Sequence, residues 1–163
     1  MRRLIVSFAT ATAMLALVAG TALAAITFHS GPDVTFDEDS ATATFNVSGL
    51  GNDPAEAKLD VFGSVDTVCH SPGKKGTEAA GQNPAIAQGS SGIVPLKKSE
   101  KNGRSTVSIT ATLTPPPVPS ATDAGCPNPN WEVTLGDLTV TSATLTIYQP
   151  AGNVIYGPTN FTP

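Results

Sequence analysis

Two histidines, two cysteines and thirteen acids are the side chains through which this 163-residue chain could do chemistry, and their spacing limits what that chemistry is. Nucleophilic catalysis needs a base beside a serine or cysteine, and only His29 and His70 could serve. No Gly-x-Ser-x-Gly elbow is present, and His70 stands next to Cys69. Glycoside hydrolysis needs two carboxylates facing each other across a sugar, and no motif places two of the acids in that way. His29, Asp33, Asp37, Glu38 and Asp39 fall within eleven residues. Oxygen ligands clustered so closely can hold Ca²⁺, but the Asp-x-Asp-x-Asp-Gly register and the distal Glu of an EF-hand are missing. A zinc site built on His29 and His70 would need carboxylates that only folding could bring in. The expectation is a chain with no catalytic residues, no metal and no cofactor, its acids solvated on β faces.

The N-terminus carries a different signal. Arg2 and Arg3 precede an uncharged apolar run from Leu4, and Ala22-Leu23-Ala24 stands before Ala25. A positive start, an apolar middle and a small-x-small end make an export leader from Met1 to Ala24, with cleavage before Ala25. Ser7, Thr10, Thr12 and Thr21 interrupt the run, and no Lys or Arg follows closely enough to stop transfer, so an uncleaved anchor is the weaker reading. The general secretory route is the default, with the Arg pair alone suggesting a twin-arginine route. Removing the leader leaves Ala25 to Pro163, one domain with enough chain to bury a core. It also leaves seven Lys and Arg against 13 Asp and Glu, a formal charge of −6. Such a surface repels the phosphates of nucleic acid and anionic lipid, so neither is an expected partner. The expected location is extracellular, with no membrane contact once the leader is gone.

Export changes how the cysteines read. An even count in an exported chain implies a disulfide, and with two cysteines its partners are Cys69 and Cys126. A redox pair would sit closer in sequence, and two thiolates alone are an incomplete zinc site. Around the cysteines lie two stretches rich in proline and glycine, Ser71 to Pro84 and Thr114 to Asn130. Proline and glycine at this density oppose regular ladders, and long loops on a rigid scaffold are where binding sites concentrate. A bridge would hold both loops at one end of the domain. The candidate ligand contacts are therefore Trp131, the only tryptophan, and the amides Gln82, Asn83, Asn128 and Asn130. A planar ring at Trp131 could stack on a sugar. The favoured reading is that Trp131 begins a strand and packs on the disulfide, as in immunoglobulin domains.

The elements that must position these residues are strands. Ala41, Ala43, Phe45 and Val47 alternate with polar neighbours; Ala57, Leu59, Val61 and Val65 do so in a run ending at Cys69; Val107, Ile109, Ala111 and Leu113 do so again. Trp131, Val133 and Leu135 alternate before Gly136-Asp137 breaks the pattern. Leu138 and Val140 then fall on even numbers and Ala143, Leu145 and Ile147 on odd ones, so a bulge is expected between Thr139 and Ala143. Short candidates are Ile26 to His29, Val34 to Phe36, Gly92 to Leu96 and Val154 to Tyr156. Seven to nine strands predict an all-β fold, a single antiparallel β-sandwich of immunoglobulin-like type over residues 25–163, with a closed barrel as the alternative. Acids concentrate from Asp33 to Asp66 and bases from Lys74 to Arg104. That asymmetry reads as solvated faces, with lysines blunting an edge strand. Asn46-Val47-Ser48 and Asn160-Phe161-Thr162 match the glycosylation acceptor, but the leader is bacterial in type and the matches are read as chance.

Cys69-His70-Ser71-Pro72-Gly73, Gly81-Gln82-Asn83-Pro84 and Gly125-Cys126-Pro127-Asn128-Pro129-Asn130-Trp131 together resemble, in type and order, a pattern of small secreted actinomycete proteins. The resemblance covers the middle and last third of the mature chain and implies no activity, because that group is uncharacterised. The chain departs from it at Lys74-Lys75, where the relatives have small or amide residues. The expected function is a monomeric, non-enzymatic binding or surface-interaction module for an extracellular glycan or protein. One alternative is a protease-inhibitor-like protein presenting Thr114 to Ser120 as a rigid loop. The other is an enzyme of unrecognised type, which would need a polar pocket with shifted titrating groups.

Overall fold

The computed structural model describes residues 26–50, 53–73, 76–96, 104–150 and 152–163. The leader and its cleavage point, Lys74, Lys75 and the lysines from 97 to 101 lie outside them. Eight strands run β1 (Thr27–Phe36), β2 (Ser40–Ser48), β3 (Ala55–His70), β4 (Glu78–Ala80), β5 (Ala85–Leu96), β6 (Ser105–Thr112), β7 (Glu132–Tyr148) and β8 (Val154–Phe161). No helix occurs among the described residues. Two antiparallel sheets pack together. One has the order β1-β2-β6, and the other is centred on β3 and β7, with β8 beyond β7. Because β7 pairs with β3 along most of its length, β4 and β5 share the opposite edge of β3, β4 at Val68–His70 and β5 at Ala55–Val65.

Period-two patterning produces this architecture directly. Ala41, Ala43, Phe45 and Val47 of β2, Leu59, Val61 and Val65 of β3, Ile109 and Ala111 of β6, and Ala143, Leu145 and Ile147 of β7 are all buried in one core. Their polar neighbours form ladders on the solvent face, where Thr42 meets Thr110 at 2.9 Å and Asn46 donates to Thr106 at 3.0 Å. Small inward residues bring the sheets close. Phe28 of β1 lies edge-on to Phe45 at 6.0 Å and to Tyr156 of β8 at 4.8 Å, so aromatic rings join the two sheets along one side. On the other side Thr114 forms a single bridge to Gln88 of β5. The sheets remain two layers and the barrel alternative is set aside.

Bulges carry the departures from simple alternation. Thr141 is the extra residue opposite the Phe62–Gly63 step, inside the expected interval, and it moves burial from Val140 to Ala143. The expected break at Gly136-Asp137 is corrected: these two residues oppose Asp66 as a second bulge, and β7 runs through. Ile26 to His29 and Val34 to Phe36 join across register shifts into one strand. The proline and glycine of Ser71 to Pro84 predict no ladder, yet Glu78–Ala80 folds back on the end of β3, because those residues stand at its flanks. Ala85 to Ser91 extends the Gly92–Leu96 candidate into β5. Only Ala87 in that added part is fully buried, so its alternation is faint. Both outer strands β1 and β8 carry a Gly-Pro pair with glycine at positive φ, Gly31 at 69° and Gly157 at 80°. A Cβ at either would strike a carbonyl of the neighbouring strand, Thr44 or Leu145. The prolines leave each of these two edge strands one N–H short, which suits an edge position.

Candidate functional site

Cys69 occupies the last inward position of β3 and is fully buried; it is bonded to Cys126, with Cα atoms 5.8 Å apart. The bond ties the end of β3 to the connection between β6 and β7, as expected. The neighbouring chain is a compact turn in which Ala124 N–H donates to Ser120 O, Gly125 N–H to Thr122 O and Cys126 N–H to Ala121 O. Ser120 Oγ accepts from Asp123 N–H and donates to its carboxylate at 2.6 Å. Ala121 and Ala124 are buried, and their small side chains let the turn lie against the Gly81–Asn83 segment.

Asn83 is the clip between the two loops. Its N–H donates to Ala124 O at 3.1 Å, its Nδ2 donates to Asp123 O at 2.9 Å, and its carbonyl accepts from the buried Thr67 hydroxyl at 3.2 Å. Asn128 is also committed locally: its Oδ1 accepts from Asn130 N–H at 2.9 Å and its carbonyl from Trp131 N–H at 3.1 Å, an Asx-turn that feeds the chain into β7. Gln82 and Asn130 are exposed, while Trp131 is half-buried, between the packed and the sugar-stacking readings.

Sequence reasoning missed a polar cluster next to this latch. The register places His70 between Glu78 of β4 and Glu132 of β7. His70 Nε2 lies 2.9 Å from Thr134 Oγ1, and Nδ1 lies 3.5 Å from Glu78 Oε1. These residues line a cleft of about 680 Å³ with Ser71, Pro72, Gly73, Gly76 and Glu132. Ser71 and Thr77 close its loop wall, with Thr77 N–H donating to Ser71 Oγ at 2.7 Å and Ser71 N–H to Thr77 O at 3.0 Å. His70 follows the inward Cys69 and so stands on the outer face of β3; its partners lie on β4 and β7, and only strand pairing brings them alongside. Hydroxyl, imidazole and carboxylate stand in the order a nucleophile, base and orienting acid would take. However, the Glu78 side chain is 72% exposed, so water screens its hold on the ring.

The calcium candidates do not assemble. His29 and Asp37 are separated by roughly 27 Å of extended strand, and His29 is hydrogen-bonded to Ser48 at 2.7 Å. Among the described residues no three His, Cys, Asp or Glu side chains form a metal-ligating group. Asp37, Glu38 and Asp39 instead meet Asp137 at a second cleft, of about 620 Å³. Among the described residues the one clear titration shift is that of Lys58, which holds its proton more tightly because it donates to Asp60 at 2.8 Å, against an opposing effect of desolvation. The disulfide belongs to an oxidising environment, and among the described residues no helix is long and apolar enough to cross a membrane.

No protein-family model, curated protein or solved structure matches the chain. Its class is thus defined by its own architecture, a disulfide-bonded two-sheet β-sandwich.

Proposed function

We propose that this chain is an exported, monomeric, non-enzymatic module that binds a glycan at its disulfide-latched end. The observation that carries the reading is the cleft of about 680 Å³ beside the latch, where His70, Thr134, Glu78 and Glu132 converge. Its volume falls within the roughly 300–1,000 Å³ of small-molecule sites. Carboxylates accept hydrogen bonds, while the hydroxyl and imidazole both donate and accept, the set needed to read sugar hydroxyls. Trp131 directly precedes Glu132 of the cleft and supplies a half-buried planar surface. Gln82 and Asn130 add amides on the same pair of linked loops. Export is supported by the leader pattern and by the disulfide.

The strand order supports an immunoglobulin-like type, since β1-β2-β6 facing β3-β7-β8 corresponds to A-B-E facing C-F-G. The disulfide differs from that of antibody domains, joining β3 to a loop rather than strand B to strand F. Catalysis at His70 is disfavoured by the exposed Glu78. The protease-inhibitor reading is disfavoured by the prolines of Thr114 to Ser120, which remove backbone donors that strand-like insertion would use.

A glycan array probed with the intact oxidised protein tests the proposal. Saturable binding that weakens at least tenfold in both Trp131→Ala and Glu132→Gln is the expected result. Absence of binding, or binding indifferent to both substitutions, overturns it.

A further inference from the structure

Thr114 to Pro119 reads Thr-Pro-Pro-Pro-Val-Pro, and each of these residues either is a proline or precedes one. The pyrrolidine ring fixes proline's φ in the range that polyproline II uses, and the residue before a proline is pushed to extended or polyproline II conformation. Residues 115–120 accordingly belong to no ladder, and their burial repeats every three residues: Pro116 and Pro119 are half-buried, while Pro115, Pro117, Val118 and Ser120 are exposed. Three residues per turn is the period of a polyproline II helix. One ridge faces the domain and two face water.

Both ends of the segment are fixed. Thr114 N–H donates to Gln88 O at 2.9 Å after the buried Leu113, and beyond Ser120 come the buried Ala121 and Ala124 and the Cys126 disulfide. The segment is ordered before any partner arrives, so docking loses little chain entropy. Its anchors flank the start of β5, the Gln88 bridge at one end and the Asn83–Ala124 bond at the other, so edge protection is the other role the segment could serve. Edge protection needs prolines without N–H groups; it does not need a branched apolar side chain held 57% exposed between two of them, as Val118 is.

We propose that Pro115–Ser120 is a preformed polyproline II ligand that docks into an aromatic-lined groove of another extracellular protein. Pro115 and Val118 form one outward ridge and Pro117 and Ser120 the other. Grooves of this kind take two such ridges between aromatic rings. The surface is distinct from the glycan cleft.

The test titrates the intact oxidised protein against purified SH3, WW and EVH1 domains as probes with aromatic grooves. The expected result is saturable binding to at least one domain, weakened tenfold or more by Val118→Ser and by Pro117→Ala. Trp131→Ala should leave that binding unchanged, and Val118→Ser should leave the thermal midpoint unchanged. Absence of saturable binding across the panel, binding indifferent to Val118→Ser, or equal loss in Trp131→Ala overturns the proposal. Since Trp131→Ala is also the variant read on the glycan array, the two proposals fail separately.

Discussion

Asn83 and Gln82 are adjacent amides with opposite roles. Asn83 commits its N–H, its Nδ2 and its carbonyl to holding the loops together, whereas the Gln82 side chain takes no part in that clip. Asn83→Ala should lower unfolding free energy by about 1–2 kcal/mol, and Gln82→Ala should stay within about 0.5 kcal/mol, measured by urea denaturation. Lys58 gives a pH signature. Its pKa is raised in the folded state above 10.5 by Asp60, so the stabilisation is fully present below the unfolded value and lost as pH rises through the folded one. The side chain is 35% exposed, which keeps the pair within about 0–1 kcal/mol. Stability of the wild type should therefore fall slightly more steeply than that of Lys58→Met above pH 10.5, with a difference below about 1 kcal/mol at neutral pH.

At the scale of the element, β3 and β7 do most of the positioning. Their inner faces meet at Leu59 opposite Leu145, both fully buried. Leu145→Ala should cost about 2–5 kcal/mol through lost burial and the cavity left behind, read as a shift in denaturation midpoint with an unchanged slope. The same two strands carry the site residues, since a ladder that sets Leu59 against Leu145 also sets His70 against Glu132. The bulges at Thr141 and at Gly136-Asp137 let β7 change phase twice and still pair along β3 to its end. Without them Val133 and Leu135 would not share a face with Val140, and one group would turn to water.

For the whole molecule, one covalent bond joins parts 57 residues apart in sequence. Reduction, or Cys126→Ser, should lower stability by roughly 4 kcal/mol in the chain-entropy model, measured by thermal or urea unfolding of oxidised and reduced protein. Intact mass of the exported protein should begin at Ala25 and show no alkylated cysteine when measured without reductant. The strands at 41–48, 57–70 and 107–112, the phase slip in β7 and the cysteine pair were legible because each rests on local alternation or on a count of two. The joining of the two short N-terminal candidates into β1, and the strand at Glu78–Ala80, were not legible. There the deciding hydrogen bonds go to β2 and β3, and the local sequence is short or broken by glycine and proline. Sequence likewise marked the prolines of Thr114 to Ser120 and the amides around the cysteines, but not which amides would be spent on the fold. Alternation and cysteine count alone sufficed for an all-β chain with one disulfide, because period-two burial and cysteine number are local properties; the choice of sandwich over barrel came with the packing of two separate sheets. That His70 meets Thr134 and Glu78 and that Val118 stands outward follows from the folded arrangement, because strand register and the packing of loops are set by partners far away in the chain.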